Sequence, residues 1–201
     1  MHGYLSTEKK IVHWNSLLNA QQLRMLAISV SVGIITGLII TQPYLKLHLG
    51  FSGHKALFWM TPVLVARLLG KCKAGTTAGA LTAAFTTFAF GGHLGGGIIG
   101  LPLIGFIGII CDTTIGFIEK TKLSPWLTIP ILGFATMIGN LIMLTKRLLN
   151  PTGSVPHMAF EISPFWFDLL SYAFFGLLSG IIAAIIALAF TRYTRQKNGS
   201  S

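Results

Sequence analysis

The chain has 201 residues, 52% of them hydrophobic and only 10% charged, with two cysteines and 15 Lys plus Arg against five Asp plus Glu. That composition excludes a disordered chain and a disulfide scaffold, and it is too apolar for an ordinary water-soluble domain. The excess of ten positive charges does not describe a nucleic-acid surface, because no basic stripe interleaved with aromatics occurs and the cations stand at the ends of apolar runs.

Residues 25–45, 74–111, 123–145 and 169–191 contain no Asp, Glu, Lys or Arg, the mark of an integral membrane protein. A helix crosses the hydrocarbon in about 20 residues, so the 38 uncharged residues of 74–111 are too many for one crossing and right for two, with the break at the glycine-rich segment 91–97. The sequence therefore predicts an all-α membrane protein: a six-transmembrane-helix bundle with spans at 23–45, 56–69, 74–90, 97–117, 126–144 and 165–190. The second span is the shortest, contains Pro62 and has Arg67 near its end.

With both termini cytoplasmic, 11 cations fall inside (Lys9, Lys10, Arg24, Arg67, Lys71, Lys73, Lys120, Lys122, Arg192, Arg195 and Lys197) and four outside (Lys46, Lys55, Lys146 and Arg147), in accord with the positive-inside rule. A re-entrant second segment would give five spans in the opposite sense with 10 inside and 5 outside; the tight basic turn Gly70-Lys71-Cys72-Lys73-Ala74-Gly75 favours six. On this reading the protein sits in the cell membrane as a multi-pass protein. Residues 1–22 are expected to form an interfacial amphipathic segment carrying Lys9, Lys10, Ile11, Val12, Trp14, Leu17 and Leu18, and no apolar core follows a basic start within them as in a cleavable signal peptide. Residues 23–191 form the membrane domain, and 192–201 a basic cytoplasmic tail, frayed at 198–201. Cys72 and Cys111 fall on opposite sides of a crossing and read as unpaired thiols.

In the first helix Ser29, Gly33 and Gly37 recur every four residues, as do Gly96 and Gly100 in the fourth and Gly176 and Gly180 in the last. Such faces let helices approach closely in lipid, either within the bundle or against another membrane protein. Two polar residues lie inside spans. Asp112, near the inner interface, reads as the ion-pair partner of Arg67 or of a lysine in the inner turns, and Asn140 as a bridge between two helices.

The histidines are one-sided. His48 and His54 lie in the first outer loop, His93 in the second and His157 in the third, with Glu161 one helical turn beyond His157 and Asp168 at the outer start of the last helix. Imidazoles with one or two carboxylates suit Co, Ni, Zn or Cu, so His48, His54, His93 and His157 are candidate metal ligands, against individual hydrogen-bonded side chains at an interface. Gly50-Phe51-Ser52-Gly53 has the G-x-S-G form of a rhomboid-like serine protease, but the last helix carries no histidine to serve as base. No phosphate-binding loop of the G-x-x-x-x-G-K-[ST] type occurs. The reading is therefore non-enzymatic.

Six short Gly- and Ala-rich spans, basic inner turns and polar outer loops resemble the substrate-capture (S) component of an energy-coupling factor (ECF) type ABC transporter. The likeness is greatest over 55–117, in the helix, basic turn and Gly/Ala-rich helix of 62–85, and in the ending 174–190 followed by basic residues. The resemblance implies a six-helix bundle that captures a vitamin, a vitamin precursor or a transition-metal ion at its outer face. It also implies docking on a membrane coupling subunit driven by two cytoplasmic ATPases, with Ser29, Gly33 and Gly37 as the docking stripe in place of the family's alanine-rich one.

Met1-His2, Phe51-Ser52-Gly53-His54 and Phe90-Gly91-Gly92-His93-Leu94 partly echo the cobalt and nickel members. On the vitamin-type alternative Trp59, Trp166 and Tyr172 stack a ring, His93 lines the site, and Glu161 or Asp168 accepts from the ring's polar edge. Two rival readings are an autonomous secondary transporter, for which only Asp112 and Asn140 speak, and a structural or assembly protein.

Overall fold

The long apolar runs become helices, and the glycine, proline and lysine positions between them become ends. In a computed structural model, residues 20–41, 53–92, 94, 100–149 and 164–199 are described. They form six helices: α1 (Ala20–Thr41), α2 (Lys55–Gly70), α3 (Gly75–Ala89), α4 (Gly100–Thr121), α5 (Pro125–Leu149) and α6 (Pro164–Gly199). No strand occurs among the described residues. The amphipathic segment expected before α1 lies outside them, apart from its last three residues, which already belong to α1.

Four helices, α1, α4, α5 and α6, are long and apolar enough to cross a membrane. The other two are short: at 1.5 Å per residue the 16 residues of α2 and 15 of α3 extend about 24 and 22 Å, less than the ~30 Å of a hydrocarbon core. At the other extreme α6 has 36 residues and stays helical through Gly199, so the basic segment expected as a separate tail forms its last turns, as do 198 and 199 of the four residues expected to fray. Arg, Gln and Lys are good helix formers, and nothing in 191–197 breaks the ladder once it leaves the apolar run.

Neighbouring helices close a ring in the order α1, α3, α4, α5, α6, α2 and back to α1, and α2 also touches α3 and α4. The short α2 is thereby drawn toward the middle, and its Trp59, Met60 and Leu64 join Ala80, Ala83, Ile104, Ile107, Cys111 and Leu132 in one core. Cys72 and Cys111 are both free and buried.

Polarity is distributed the opposite way from a water-soluble bundle. Phe85, Phe106, Phe117, Phe134, Phe174 and Ile185 face outward, while Ser29, Arg67, Asp112, Thr136, Asn140 and Ser179 are buried. An apolar exterior of this extent requires a hydrocarbon solvent. The threonines follow the same rule: Thr87, Thr114, Thr128, Thr136 and Thr191 return their hydroxyls to the carbonyl four residues earlier, leaving no polar group for lipid to solvate.

Small residues set the helix spacing. Ser29, Gly33 and Gly37 are buried on the side of α1 that meets α3. A β-carbon at Gly33 would strike the Gly79 carbonyl, and one at Gly37 would stand 2.7 Å from the Ala83 carbonyl. The stripe expected to dock a coupling subunit is therefore consumed inside the bundle, because α3 offers Gly75, Gly79 and Ala83 at the matching spacing. The Gly176 and Gly180 pair does the same for α6 on α5: a β-carbon at Gly176 would lie 2.8 Å from Met137 Cα, and one at Gly180 2.5 Å from the Leu132 carbonyl.

The packing predicts opposite outcomes at two glycines. Gly33→Leu should destabilise by ~3 kcal/mol or more, the upper end of overpacking costs, because backbone stands in the way. Gly116→Ala in α4, where a β-carbon meets nothing within 4 Å, should raise stability by up to about 1 kcal/mol through helix propensity. Thermal unfolding of both variants in mild detergent tests this; equal midpoints would mean that α1 does not rest on α3.

Candidate functional site

The two ends of the bundle differ in chemistry. Where α1 begins, Gln22 Nε2 donates to the Lys71 carbonyl at 3.4 Å, and Arg67 of α2 reaches Glu119 of α4. This end therefore gathers the α2–α3 turn, the α4–α5 turn and, since α6 runs parallel to α2, the end of α6. It carries Arg24, Lys71, Lys73, Lys120, Lys122, Arg192, Arg195 and Lys197 and is called the basic end.

Its centre is a buried ion network. Arg67 is 1% exposed; its Nε donates to Asp112 Oδ1 at 3.1 Å, and its Nη1 and Nη2 donate to the two carboxylate oxygens of Glu119 at 2.9 and 3.2 Å. Asp112 does a second job at the start of α3. Its Oδ1 accepts the Thr76 amide at 3.0 Å, and its Oδ2 accepts the Thr77 amide at 2.8 Å and the Thr77 hydroxyl at 2.7 Å.

The N-cap of α3 is Ala74, which has no side chain able to cap. The first-turn amides would otherwise be orphaned in a dry environment, and a carboxylate from another helix takes them, favoured also by the positive end of the α3 dipole. Gly108 makes the reach possible, since a β-carbon there would stand 2.6 Å from Thr77 Cα. Arg67 in the last turn of α2 meets the favourable end of its own helix dipole.

The pairing of Asp112 with Arg67 agrees with the sequence expectation. Glu119 was not singled out, although its spacing of seven from Asp112 puts both carboxylates on one face of α4. Both turns at this end close with a lysine in the left-handed region, Lys71 at φ 52° and Lys122 at φ 50°, a place where glycine is the usual occupant. The Lys71 amide donates to the Arg67 carbonyl at 2.9 Å, completing the α2 terminus.

At the opposite end α2 starts against α6. Gly53 has φ +78°, and a β-carbon there would touch Tyr172 at 3.0 Å; the His54 ring lies edge-on to Phe175 at 6.4 Å; one turn further in, the Thr61 hydroxyl reaches the Ser179 carbonyl at 3.4 Å. The contacting α6 residues advance with those of α2, so the two helices run parallel. From α5, Asn140 Nδ2 donates to the Tyr172 carbonyl at 2.7 Å, joining two helices as the sequence suggested. Gly176 leaves room for it, as a β-carbon there would lie 2.7 Å from that of Asn140.

Asp168 is buried one turn before Tyr172 on α6, so His54 and Asp168 of the expected site stand on adjoining stretches of this end. The ring-stacking set is not assembled as one clamp. Trp59 is packed into the protein core, whereas Trp166 is 56% exposed with its ring edge-on to Phe165 at 5.5 Å. His48, His93, His157 and Glu161 lie outside the described residues, as does Ser52 of the G-x-S-G segment. Among the described residues no group of three or more His, Cys, Asp or Glu is placed to hold a metal ion.

No protein-family model, curated protein or solved structure matches the chain. Apolar exterior, buried polar residues and four spanning-length helices place it by physics alone in the class of multi-pass helical membrane proteins.

The ion network separates two kinds of carboxylate. Asp112→Ala leaves Arg67 half-paired in the interior and α3 uncapped, and should cost ~3–5 kcal/mol, as breaking a buried pair does. Glu119→Ala also half-pairs Arg67, but its place is 41% exposed, so water can take the two guanidinium donors, and the loss should be clearly smaller than at 112. Unfolding in detergent, combined with an Arg67→Ala/Asp112→Ala cycle, checks both; equal losses at 112 and 119 would contradict the dual role of Asp112.

Proposed function

We propose that the chain is the membrane-embedded substrate-capture component of an ECF-type uptake transporter. It takes a small solute at the end opposite the basic turns and works with a membrane coupling subunit and two cytoplasmic ATPases. The solute is a vitamin or vitamin precursor, or a transition-metal ion. The observation that carries this reading is the asymmetry of the bundle: one end is tied by the Arg67, Asp112 and Glu119 network, while at the other α6 is met by His54 at the start of α2 and by Asn140 of α5, with Asp168 buried one turn before Tyr172.

A solute pump needs a site whose affinity changes as the bundle reorients, and a fixed base with ligands at the far end meets that requirement. By the positive-inside rule the basic end faces the cytoplasm, and on a six-span reading both termini lie there as well. An autonomous secondary transporter is less well supported, because its two candidate midplane residues are both engaged: Asp112 with Arg67 and α3, and Asn140 with the Tyr172 carbonyl. With the Ser29, Gly33 and Gly37 stripe buried against α3, the coupling subunit would meet other residues of the lipid-facing surface.

Elemental and small-molecule mass spectrometry of the protein, purified in mild detergent without chelator, tests the reading. One solute per chain is expected, lost in His54→Ala and Asp168→Asn and retained in Glu119→Gln. A stoichiometric Co, Ni or Zn would fix the metal reading; a ring compound without metal would fix the vitamin reading. Neither, in protein made alongside its solute, would leave the capture role without support.

A further inference from the structure

Among the described residues the ring of helices is closed between α1 and α6 mainly through the recessed α2, and an open groove of about 720 Å³ follows that seam. Its walls are almost wholly apolar, with Ile28 and Val32 from α1, Phe58, Pro62 and Ala66 from α2, and Ile186 from α6. The groove runs to the basic end, where Met25 and Gly70 line it. The chain neighbours of those two residues are Arg24 and Lys71, both exposed, and the Gln22 to Lys71 hydrogen bond holds the two helix ends together.

On α6, counting the ten residues from Thr61 to Lys71 onward from Ser179 brings the same level to Ala189. One turn beyond, Tyr193 is exposed and lies seven residues after Ile186, on the same face as that groove residue. The carboxylate side chains described at this end, Asp112 and Glu119, both bind Arg67, so they do not answer the positive charge around the groove mouth.

An apolar channel whose last lining residues, Met25 and Gly70, adjoin two exposed cations, with an exposed tyrosine at the same end of α6, suits an anionic lipid. We infer that the groove between α1, α2 and α6 is a binding site for an anionic phospholipid of the leaflet at the basic end. Its acyl chain lies along α2, and its phosphate sits between Arg24 and Lys71. A basic pocket between membrane helices recognises the anionic headgroup, and the groove retains the chain. A transmembrane helix of another protein would fill the apolar part equally well but would leave the cations at its mouth unanswered.

The test uses the full chain, stripped of lipid in mild detergent and exchanged into mixed micelles with equimolar 1-palmitoyl-2-oleoyl phosphatidylglycerol and phosphatidylcholine. Bound phospholipid is counted by native mass spectrometry. About one phosphatidylglycerol per chain is expected, retained roughly tenfold over phosphatidylcholine. The double variant Arg24→Gln/Lys71→Gln should lose that preference with an unchanged melting midpoint. Ala66→Leu and, independently, Val32→Trp should reduce retention of both lipids by filling the groove; two variants on different helices guard against a folding defect in either.

Equal retention of the two lipids by the unmodified protein would overturn the proposal. So would a preference that survives loss of both cations, or retention unaffected in both groove-filled variants. Photocrosslinking from position 66 to a co-purified membrane polypeptide, with no lipid adduct, would give the groove to a protein partner instead.

Discussion

A single carboxylate holds the basic end together. Asp112 sits in a helix that crosses hydrocarbon, where a bare charge would cost several kcal/mol, and it is surrounded by donors: the Arg67 guanidinium, two amides of α3 and the Thr77 hydroxyl. Three helices are joined at that one group, since Arg67 belongs to α2, the amides to α3 and the carboxylate to α4. The charge needs the helix ends to be solvated, and the helix ends need the charge.

Parts of this were legible in the sequence. Arg67 and Asp112 interrupt otherwise apolar surroundings, and the expense of an isolated charge in lipid makes each the obvious partner of the other. Asn140 was readable for the same reason. Glu119 was not, because it stands beside Lys120 among the polar residues that end α4 and looks like any interfacial side chain until its spacing from Asp112 is counted. The small-residue stripe on α1 was visible, but a stripe says only that some backbone comes close; it does not say whose. The choice of α3 depends on Gly75, Gly79 and Ala83, and matching two stripes requires knowing which helices adjoin. The run of α6 past Phe190 was hidden because hydropathy measures where lipid ends, not where helical hydrogen bonding does.

The opposite end was less legible. His54 and Asp168 were picked for their chemistry, and His54 meets α6 at Phe175, two turns beyond Asp168, but Trp59 was selected as a ring-stacking aromatic and belongs to the core. Side-chain identity alone could not distinguish an aromatic that anchors the bundle from one that greets a ligand. The two turn lysines at the basic end carry a different lesson. Each occupies a left-handed backbone conformation that disfavours a side chain by about 1–2 kcal/mol, so charge at these turns is kept where glycine would be more comfortable.

The cap on α3 also fixes an order of events during synthesis. When α3 leaves the ribosome, its first-turn amides have no side-chain acceptor, for Ala74 offers none and Asp112, in the second half of α4, is 35 residues after Thr77. A segment of 15 residues rich in Gly, Ala and Thr is then a poor candidate to rest alone in lipid. Its first turn is completed only when α4 delivers its carboxylate, with Arg67 already made. The first turn of α3 is thus completed by a residue made later in the chain, so α3 and α4 finish folding as a pair.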